Sequence, residues 1–138
     1  MKKMLTGSCM CGKVHFQVED DFSRFFLCHC EQCRKMTGSA HASNLFTRVE
    51  NIEWLKGQEY IKRYEHPTRT FSQVFCMECG SGLPFVSKSG RALIVPAGSL
   101  DSEPTKKPDA QIFCKEQAEW HKAGLQAPRF SEFFEPEK

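Results

Sequence analysis

The stretch CHCEQC at residues 28–33 places three cysteines within six residues. The apolar residues 25–27 lead into it as a strand, so Cys28 and Cys30 should share one face, because strand side chains repeat every two residues. Cys33 then has to fold back toward them, as in a zinc knuckle. Three convergent sulfurs favour zinc or another thiophilic metal over calcium and magnesium, which prefer oxygen. We call these three cysteines the trio and predict that they form a metal site.

Two further cysteine pairs support this interpretation. Cys9 and Cys11 form an N-terminal pair, and Cys76 and Cys79 form a late pair with the C-x-x-C spacing of a structural zinc half-site. The trio and the two pairs together use seven of the eight cysteines. Seven sulfurs cannot complete two four-cysteine sites, so one of two sites would keep an open position, as catalytic zinc sites do.

Spacing alone allows two groupings of these cysteines. The first joins the N-terminal pair to the late pair and leaves the trio as the open site. The second joins Cys30 and Cys33 to the late pair and leaves Cys28 and the N-terminal pair without a complete ligand set. The first is preferred because it keeps each local cluster whole.

Chain length and net charge limit the number of domains and the kinds of partner that this protein is expected to have. A chain of 138 residues is expected to form one domain that buries about two-thirds of its unfolded surface without help from a metal. The formal charge of +2, from 19 basic and 17 acidic residues, lacks the basic excess of a nucleic-acid-binding surface. A small-molecule substrate fits this balance better than a nucleic-acid partner.

Whether the cysteines are expected to bind a metal or to form disulfides depends on the compartment of the protein. No apolar run reaches the roughly 18 residues of a membrane span, and residues 1–8 lack the apolar core of a signal peptide. We therefore expect a cytoplasmic protein without a membrane partner. In a reducing compartment, clustered cysteines bind metals or act in catalysis more often than they form disulfides.

The remaining pattern predicts a mainly β chain. Gly57 and Gln58 are expected to turn a hairpin between the strands at 52–55 and 60–64, and Cys114 to be a buried core thiol. Trp54 is expected to lie in the core, with a pocket wall as the alternative. Residues 119–122 are expected to open a short helix or turn. Alternating or apolar runs between turn residues mark candidate strands at 14–18, 25–28, 40–46, 52–55, 60–64, 70–75, 83–86, 92–97 and 111–114.

Polar residues beside the trio are candidates for proton transfer and charge compensation. Arg34 and Lys35 follow the last cysteine directly and would offset thiolate charge or hold a substrate anion; the alternative is that they are solvated loop charges. Glu31 or His29 would move a proton. His29 could instead be a fourth metal ligand or point away from the trio, and strand alternation favours the last arrangement.

The order of motifs resembles the glutathione-dependent formaldehyde-activating enzyme family, which includes centromere protein V. The likeness covers about residues 7–130. The matching motifs are C-x-C-G at 9–12, C-H-C-x-x-C-R-K at 28–35, F-C-x-x-C-G-S at 75–81, A-G-S-L-D at 97–101, and I-F at 112–113 with a downstream Trp120.

The resemblance implies a single-domain β-tent fold, built from several short antiparallel sheets with zinc-ribbon-like knuckles. It also implies two zinc ions: Cys9, Cys11, Cys76 and Cys79 would hold a structural ion, and the trio a catalytic one. The implied activity is that of a carbon–sulfur lyase that makes or cleaves S-(hydroxymethyl)glutathione from formaldehyde and glutathione. Gln111 departs from the family, since many relatives have histidine there.

A zinc ion at such an open site can activate the reactants in one of two ways. Zinc can bind a thiol as the thiolate or polarise an aldehyde oxygen. Three thiolates and one dication leave a net negative centre, which favours thiolate transfer, with Arg34 as the compensating cation. The competing hypotheses are a non-catalytic zinc module for a protein or nucleic-acid partner, and a redox or metal-buffering protein.

Overall fold

The computed structural model describes residues 2–135 and is mainly β, as predicted. No helix within that range is long and apolar enough to cross a membrane. The two helices are α1 (Glu31–Thr37) and α2 (Glu119–Leu125), the second at the place predicted for a short helix or turn. The strands are β1 (Met4–Ser8), β2 (His15–Glu19), β3 (Arg24–Cys28), β4 (Ala42–Thr47), β5 (Glu53–Lys56), β6 (Ile61–Glu65), β7 (Ser72–Cys76), β8 (Phe85–Val86), β9 (Leu93–Pro96) and β10 (Ala110–Ile112).

The strands form three small sheets. Their orders are β1-β2-β5, β10-β3-β4-β9-β8 and β6-β7. All pairs are antiparallel except β3 with β10, which run parallel with Ile112 opposite Cys28. The five-stranded sheet therefore brings a segment from late in the chain directly beside the first cysteine of the trio.

The hairpin predicted at Gly57 is wrong. Strand β5 pairs with β2, and β6 pairs with β7 in a different sheet. Phe16 of β2 packs edge-on against Trp54 of β5, with ring centroids 5.8 Å apart, and this contact holds β5 on the first sheet. Trp54 is half-buried at the edge of the core. The turn after Gly57 therefore transfers the chain between sheets, which local turn residues do not reveal.

The apolar interior has two parts of unequal size. The smaller consists of the trio with Ala42 and Ile112 packed against it. The larger lies between the sheets and contains Leu5, Cys9, Val14, Phe16, Val18, Phe25, Leu45, Val74, Cys76, Leu83, Leu93 and Val95. Cys9 and Cys76 belong to this larger core, so the first cysteine grouping has two members in the packed interior, while Cys11 and Cys79 are exposed.

Gly57 should be the least replaceable turn glycine of the chain. Its φ is +85°, and a Cβ there would collide with the carbonyl oxygen of Lys13. We expect Gly57→Ala to lower the free energy of unfolding by at least about 3 kcal/mol, because it combines backbone strain with a clash. Gly90 is a matched control with φ +77° and no atom within 4 Å of its Cβ position. Gly90→Ala should lose only about 1 kcal/mol. Urea unfolding measures both, and equal losses would contradict the predicted clash.

Candidate metal centres

Four cysteines from two distant segments of the chain converge on one point. The sulfurs of Cys9, Cys11, Cys76 and Cys79 all lie within 4.8 Å of one another. Sγ of Cys11 is 3.6 Å from that of Cys9 and 3.9 Å from that of Cys76. Zn–S bonds of about 2.3 Å in a tetrahedron would place sulfurs about 3.8 Å apart. The set therefore fits a tetrahedral metal ion, in the first of the two groupings that the sequence allowed.

The backbone and a hydroxyl group stabilise thiolates in this set. The Val14 N–H donates to Cys9 Sγ at 3.2 Å. The Ser81 hydroxyl lies 3.2 Å from Cys79 Sγ, and this hydroxyl and the Ser81 amide lower the pKa of Cys79 to about 5. Gly80, with φ +79°, makes the turn that brings Ser81 back to the sulfur. The glycine next to the second C-x-x-C cysteine thus lets the backbone curl so that donors reach the thiolate.

The trio forms the second convergent set. Cys28 ends β3, Cys30 is the N-cap of α1, and Cys33 lies in the first turn of that helix. Their sulfurs lie within 4.8 Å of one another, and the residues are only 6%, 9% and 9% exposed. The trio therefore offers three buried donors to one ion.

Helix α1, which the sequence did not predict, begins at Glu31 within the trio and carries Cys33, Arg34 and Lys35. Cys30 has extended dihedrals, and its sulfur accepts the Cys33 N–H at 3.4 Å, as an N-cap side chain does. Gly38 ends the helix in the left-handed region, with its N–H bonded to the Arg34 carbonyl. The sequence offered a signal for the end of this helix, because Gly38 lies seven residues after Glu31. It offered none for the start, since cysteine is not among the common N-cap residues.

Burial gives the trio its electrostatic character. Desolvation raises the pKa of the Cys28 thiol, and burial together with the neighbouring sulfurs raises that of Cys33. Three thiolates this close are stable only when a cation offsets their charge. The donor set therefore suits a thiophilic dication.

His29 does not belong to either donor set. Its side chain is fully buried, and its Nε2–H donates to Gln111 Oε1 at 2.9 Å. Its ring packs against His41 and His121, with centroids 5.0 and 4.8 Å away. Of the three roles open to His29, the structure agrees with pointing away from the trio. Its hydrogen-bond partner, Gln111, belongs to β10, which pairs with β3.

A cavity of about 630 Å³ opens above the trio. A second cavity, of about 640 Å³, reaches Cys33 from the side of the four-cysteine set. Phe71, Ser72 and Phe85 line both cavities. The lining of the first cavity is mixed: it includes the apolar side chains of Phe71, Phe85 and Ile94 and the exposed ring of Phe113. Its charged residues are Glu31, Arg69, Lys88 and Glu116.

Polar contacts tie four chain segments together around the mouth of the first cavity. The Glu31 N–H donates to Glu116 Oε1 at 3.1 Å, and the Glu31 carboxylate accepts Arg69 Nη1 at 3.1 Å. Lys88 Nζ donates to the carbonyl oxygens of Arg69 and His66 at 2.9 and 3.2 Å. Two cations and two carboxylates thus stand at the opening.

Arg34 is placed differently from these cations. Its Nη1 donates to the Glu116 carbonyl oxygen at 2.9 Å, and it is not among the residues that line the two cavities. In this structure it fixes the cavity wall at 113–116. A direct role of Arg34 beside the thiolates stays a prediction.

The prediction that Cys114 is a buried core thiol is wrong, since it is exposed. Strand β10 ends at Ile112, and Phe113 then turns the chain out of the sheet into a 3-10 turn over Cys114–Glu116. Of the apolar residues before Cys114, Ile112 packs against the trio and Phe113 lines the cavity, so neither draws Cys114 into the core.

Comparisons with known proteins agree with this geometry. The family model described as glutathione-dependent formaldehyde-activating enzyme matches residues 4–116. A Halomonas elongata protein, named provisionally as such an enzyme, is 28% identical over 125 residues, covering 85% of this chain and 79% of the relative. A crystal structure of a Rhodobacter sphaeroides protein superposes with a TM-score of 0.61 at 24% identity, over 77% of this chain and 98% of that one. The structural likeness concerns the fold alone.

Proposed function

The chain belongs to the glutathione-dependent formaldehyde-activating enzyme family, and we propose that it is a zinc-dependent enzyme of the carbon–sulfur lyase type. Its substrates would be adducts of a thiol and an aldehyde, such as S-(hydroxymethyl)glutathione. One observation carries this proposal: the three buried sulfurs of the trio converge beside a cavity of substrate size. Three protein donors match the open coordination of catalytic zinc sites.

The four-cysteine set would have a different role. Its four sulfurs form a complete tetrahedral ligand set and include two core residues, Cys9 and Cys76. Closed sites of this kind are structural and contribute directly to folding. We assign the structural zinc to this set and the catalytic zinc to the trio.

The residues around the cavity would bind the reactants and carry the proton. Zinc on the trio would supply a low pKa for the incoming thiol, as a cation does for its ligands. Forming the adduct joins the thiol sulfur to the aldehyde carbon and transfers the thiol proton to the aldehyde oxygen. Glu31 lines the cavity and carries a carboxylate that can hold that proton between the two atoms. Adduct cleavage would follow the reverse path.

The charges at the mouth favour a thiol that bears carboxylates. Arg69 and Lys88 both line the cavity, and each has donors beyond the contacts that it makes within the protein. Glutathione presents two carboxylates and one ammonium group, and an opening with two cations and two acids offers each of these three groups a partner of opposite charge. A cytoplasmic location also fits this proposal, because a reducing compartment keeps both the cysteine ligands and a thiol substrate from forming disulfides.

Arg69 gives a direct test of carboxylate recognition. We expect Arg69→Ala to raise KM for glutathione about 3- to 10-fold, because a half-exposed cation contributes modest, screened attraction. Loss of its contact with the Glu31 carboxylate can change kcat as well, so KM is the diagnostic value. Arg91 is the matched control, since it is exposed and lies outside the residues that line the cavity. Arg91→Ala should leave KM unchanged. An unchanged KM in Arg69→Ala would remove Arg69 from substrate binding.

The proposed reaction is tested against its own background rate. Formaldehyde and glutathione combine without a catalyst, so exchange between adduct and free glutathione is followed by NMR with and without protein. Zinc-loaded protein should accelerate exchange, and protein stripped by a chelator should not. If protein holding two zinc ions leaves the exchange rate at background, the lyase proposal fails and the non-catalytic zinc module becomes the better interpretation.

A further inference from the structure

Phe113 has an unusual backbone conformation. Its φ of 56° and ψ of 38° are left-handed, and it is the one non-glycine residue with positive φ between residues 2 and 135. A bulky residue is strained there because its Cβ crowds the following carbonyl oxygen. Strained residues persist only where the surroundings hold them, and they concentrate at functional sites.

The neighbouring segments hold Phe113 from both sides. The His29 N–H donates to the Ile112 carbonyl at 2.9 Å, and the Glu116 N–H donates to the Phe113 carbonyl at 3.0 Å. Arg34 then anchors the Glu116 carbonyl to helix α1. The strand and the helix that carry the trio therefore also fix the position of Phe113.

The ring of Phe113 lies at the cavity mouth. It lines the same cavity as the trio but is 53% exposed, whereas the three cysteines at the floor are at most 9% exposed. A ring that remains half in water gains little stability from burial. Neither burial nor backbone preference explains a phenylalanine at this position, where glycine would fit without strain.

We propose that Phe113 is a specificity-determining residue whose ring covers the part of a substrate thiol that extends beyond the sulfur-bearing carbon. The site would then select peptide-sized thiols over small ones. A small thiol at the trio would leave most of the 630 Å³ cavity empty. This inference rests on the proposed function, because it assumes that a thiol binds at the trio.

Three variants of the full, zinc-loaded chain test this role: Phe113→Gly, Phe113→Ala and Phe113→Tyr. The readouts are the Kd for glutathione by calorimetry, adduct exchange with glutathione and with 2-mercaptoethanol, and the melting temperature. In the Gly and Ala variants we expect an about 10-fold weaker Kd for glutathione. The ratio of kcat/KM for glutathione to that for 2-mercaptoethanol should fall by about the same factor. The Tyr variant, which keeps the ring, should keep both values within about twofold of wild type.

Stability separates a substrate contact from a structural role. Glycine removes the strain at positive φ, so Phe113→Gly should melt at the wild-type temperature or up to about 4 °C above it, and above Phe113→Ala. A residue kept for packing would instead lower the melting temperature in both variants. Glutathione binding that weakens while stability holds or rises is therefore the expected signature.

The outcomes distinguish this proposal from the proposed enzyme. An unchanged Kd for glutathione in Phe113→Gly, or equal losses with both thiols, overturns the role of Phe113 while leaving the lyase activity standing. Wild-type protein that binds glutathione but does not accelerate exchange overturns the lyase, and the Kd values still decide the role of Phe113. Wild-type protein that binds no glutathione overturns both.

Discussion

Cys76→Ser is expected to leave the protein unfolded. Cys76 is fully buried at the end of β7 and belongs to the four-cysteine set. A structural zinc site is worth on the order of 10–16 kcal/mol, as large as the whole stability of a typical protein, about 5–15 kcal/mol. Serine would remove one sulfur ligand and bury a hydroxyl in the larger core. Circular dichroism and metal analysis of the purified variant measure the loss.

Cys114→Ser provides the control for this substitution. Cys114 is exposed and outside both convergent sets, so the same chemical change there should leave fold, metal content and melting temperature at wild-type values. A Cys76→Ser protein that melts cooperatively near the wild-type temperature would show that the four-cysteine set does not hold a structural metal.

Cys30→Ser is expected to abolish catalysis while preserving the fold. The variant removes one of three ligands from the open site, so this site should lose its metal while the four-cysteine set keeps its own. Serine is a preferred N-cap residue and can replace the sulfur that caps α1, so the helix should persist. We expect one zinc per chain, a native circular dichroism spectrum and adduct exchange reduced by at least about 100-fold.

The metal count decides how this result is interpreted. One zinc with background exchange supports the trio as the catalytic site. If Cys30→Ser bound two zinc ions and exchanged the adduct at the wild-type rate, neither metal binding at the trio nor catalysis would require the sulfur of Cys30. An unfolded Cys30→Ser protein would assign the trio a structural role and contradict the division between the two sites.

Periodicity and apolar runs identified every strand except β1. Alternation records burial directly in strands such as β2 and β7, which bury one face. Strand pairing was less predictable. The pattern around Gly57 is the same for a hairpin as for a turn between sheets, and contacts of distant residues such as Phe16 with Trp54 decide between them. Helix α1 was missed because its cap is a cysteine, whose capping sulfur has no signature apart from metal binding.

The residues of the candidate site also divide into those that the sequence revealed and those that only the structure revealed. The cysteines themselves were evident from spacing, since chelation by one ion requires donors close in sequence or in matching pairs. Arg69, Lys88, Glu116 and Phe113 were not identified as cavity residues, because they come from three separate loops whose approach depends on how the sheets pack. The exposure of Cys114 likewise follows from the left-handed turn at Phe113, which its apolar neighbours do not reveal.

The sequence by itself determined the mainly β class, the seven clustered sulfurs and the imbalance between a set of four and a set of three, because these depend on local period and ligand count. Only the tertiary structure decided which pairs meet, that β10 lies parallel to β3, and which charges and aromatic ring surround the trio. These features arise from contacts between residues far apart in the chain, and such contacts are set by the packing of the sheets, not by the order of neighbouring residues.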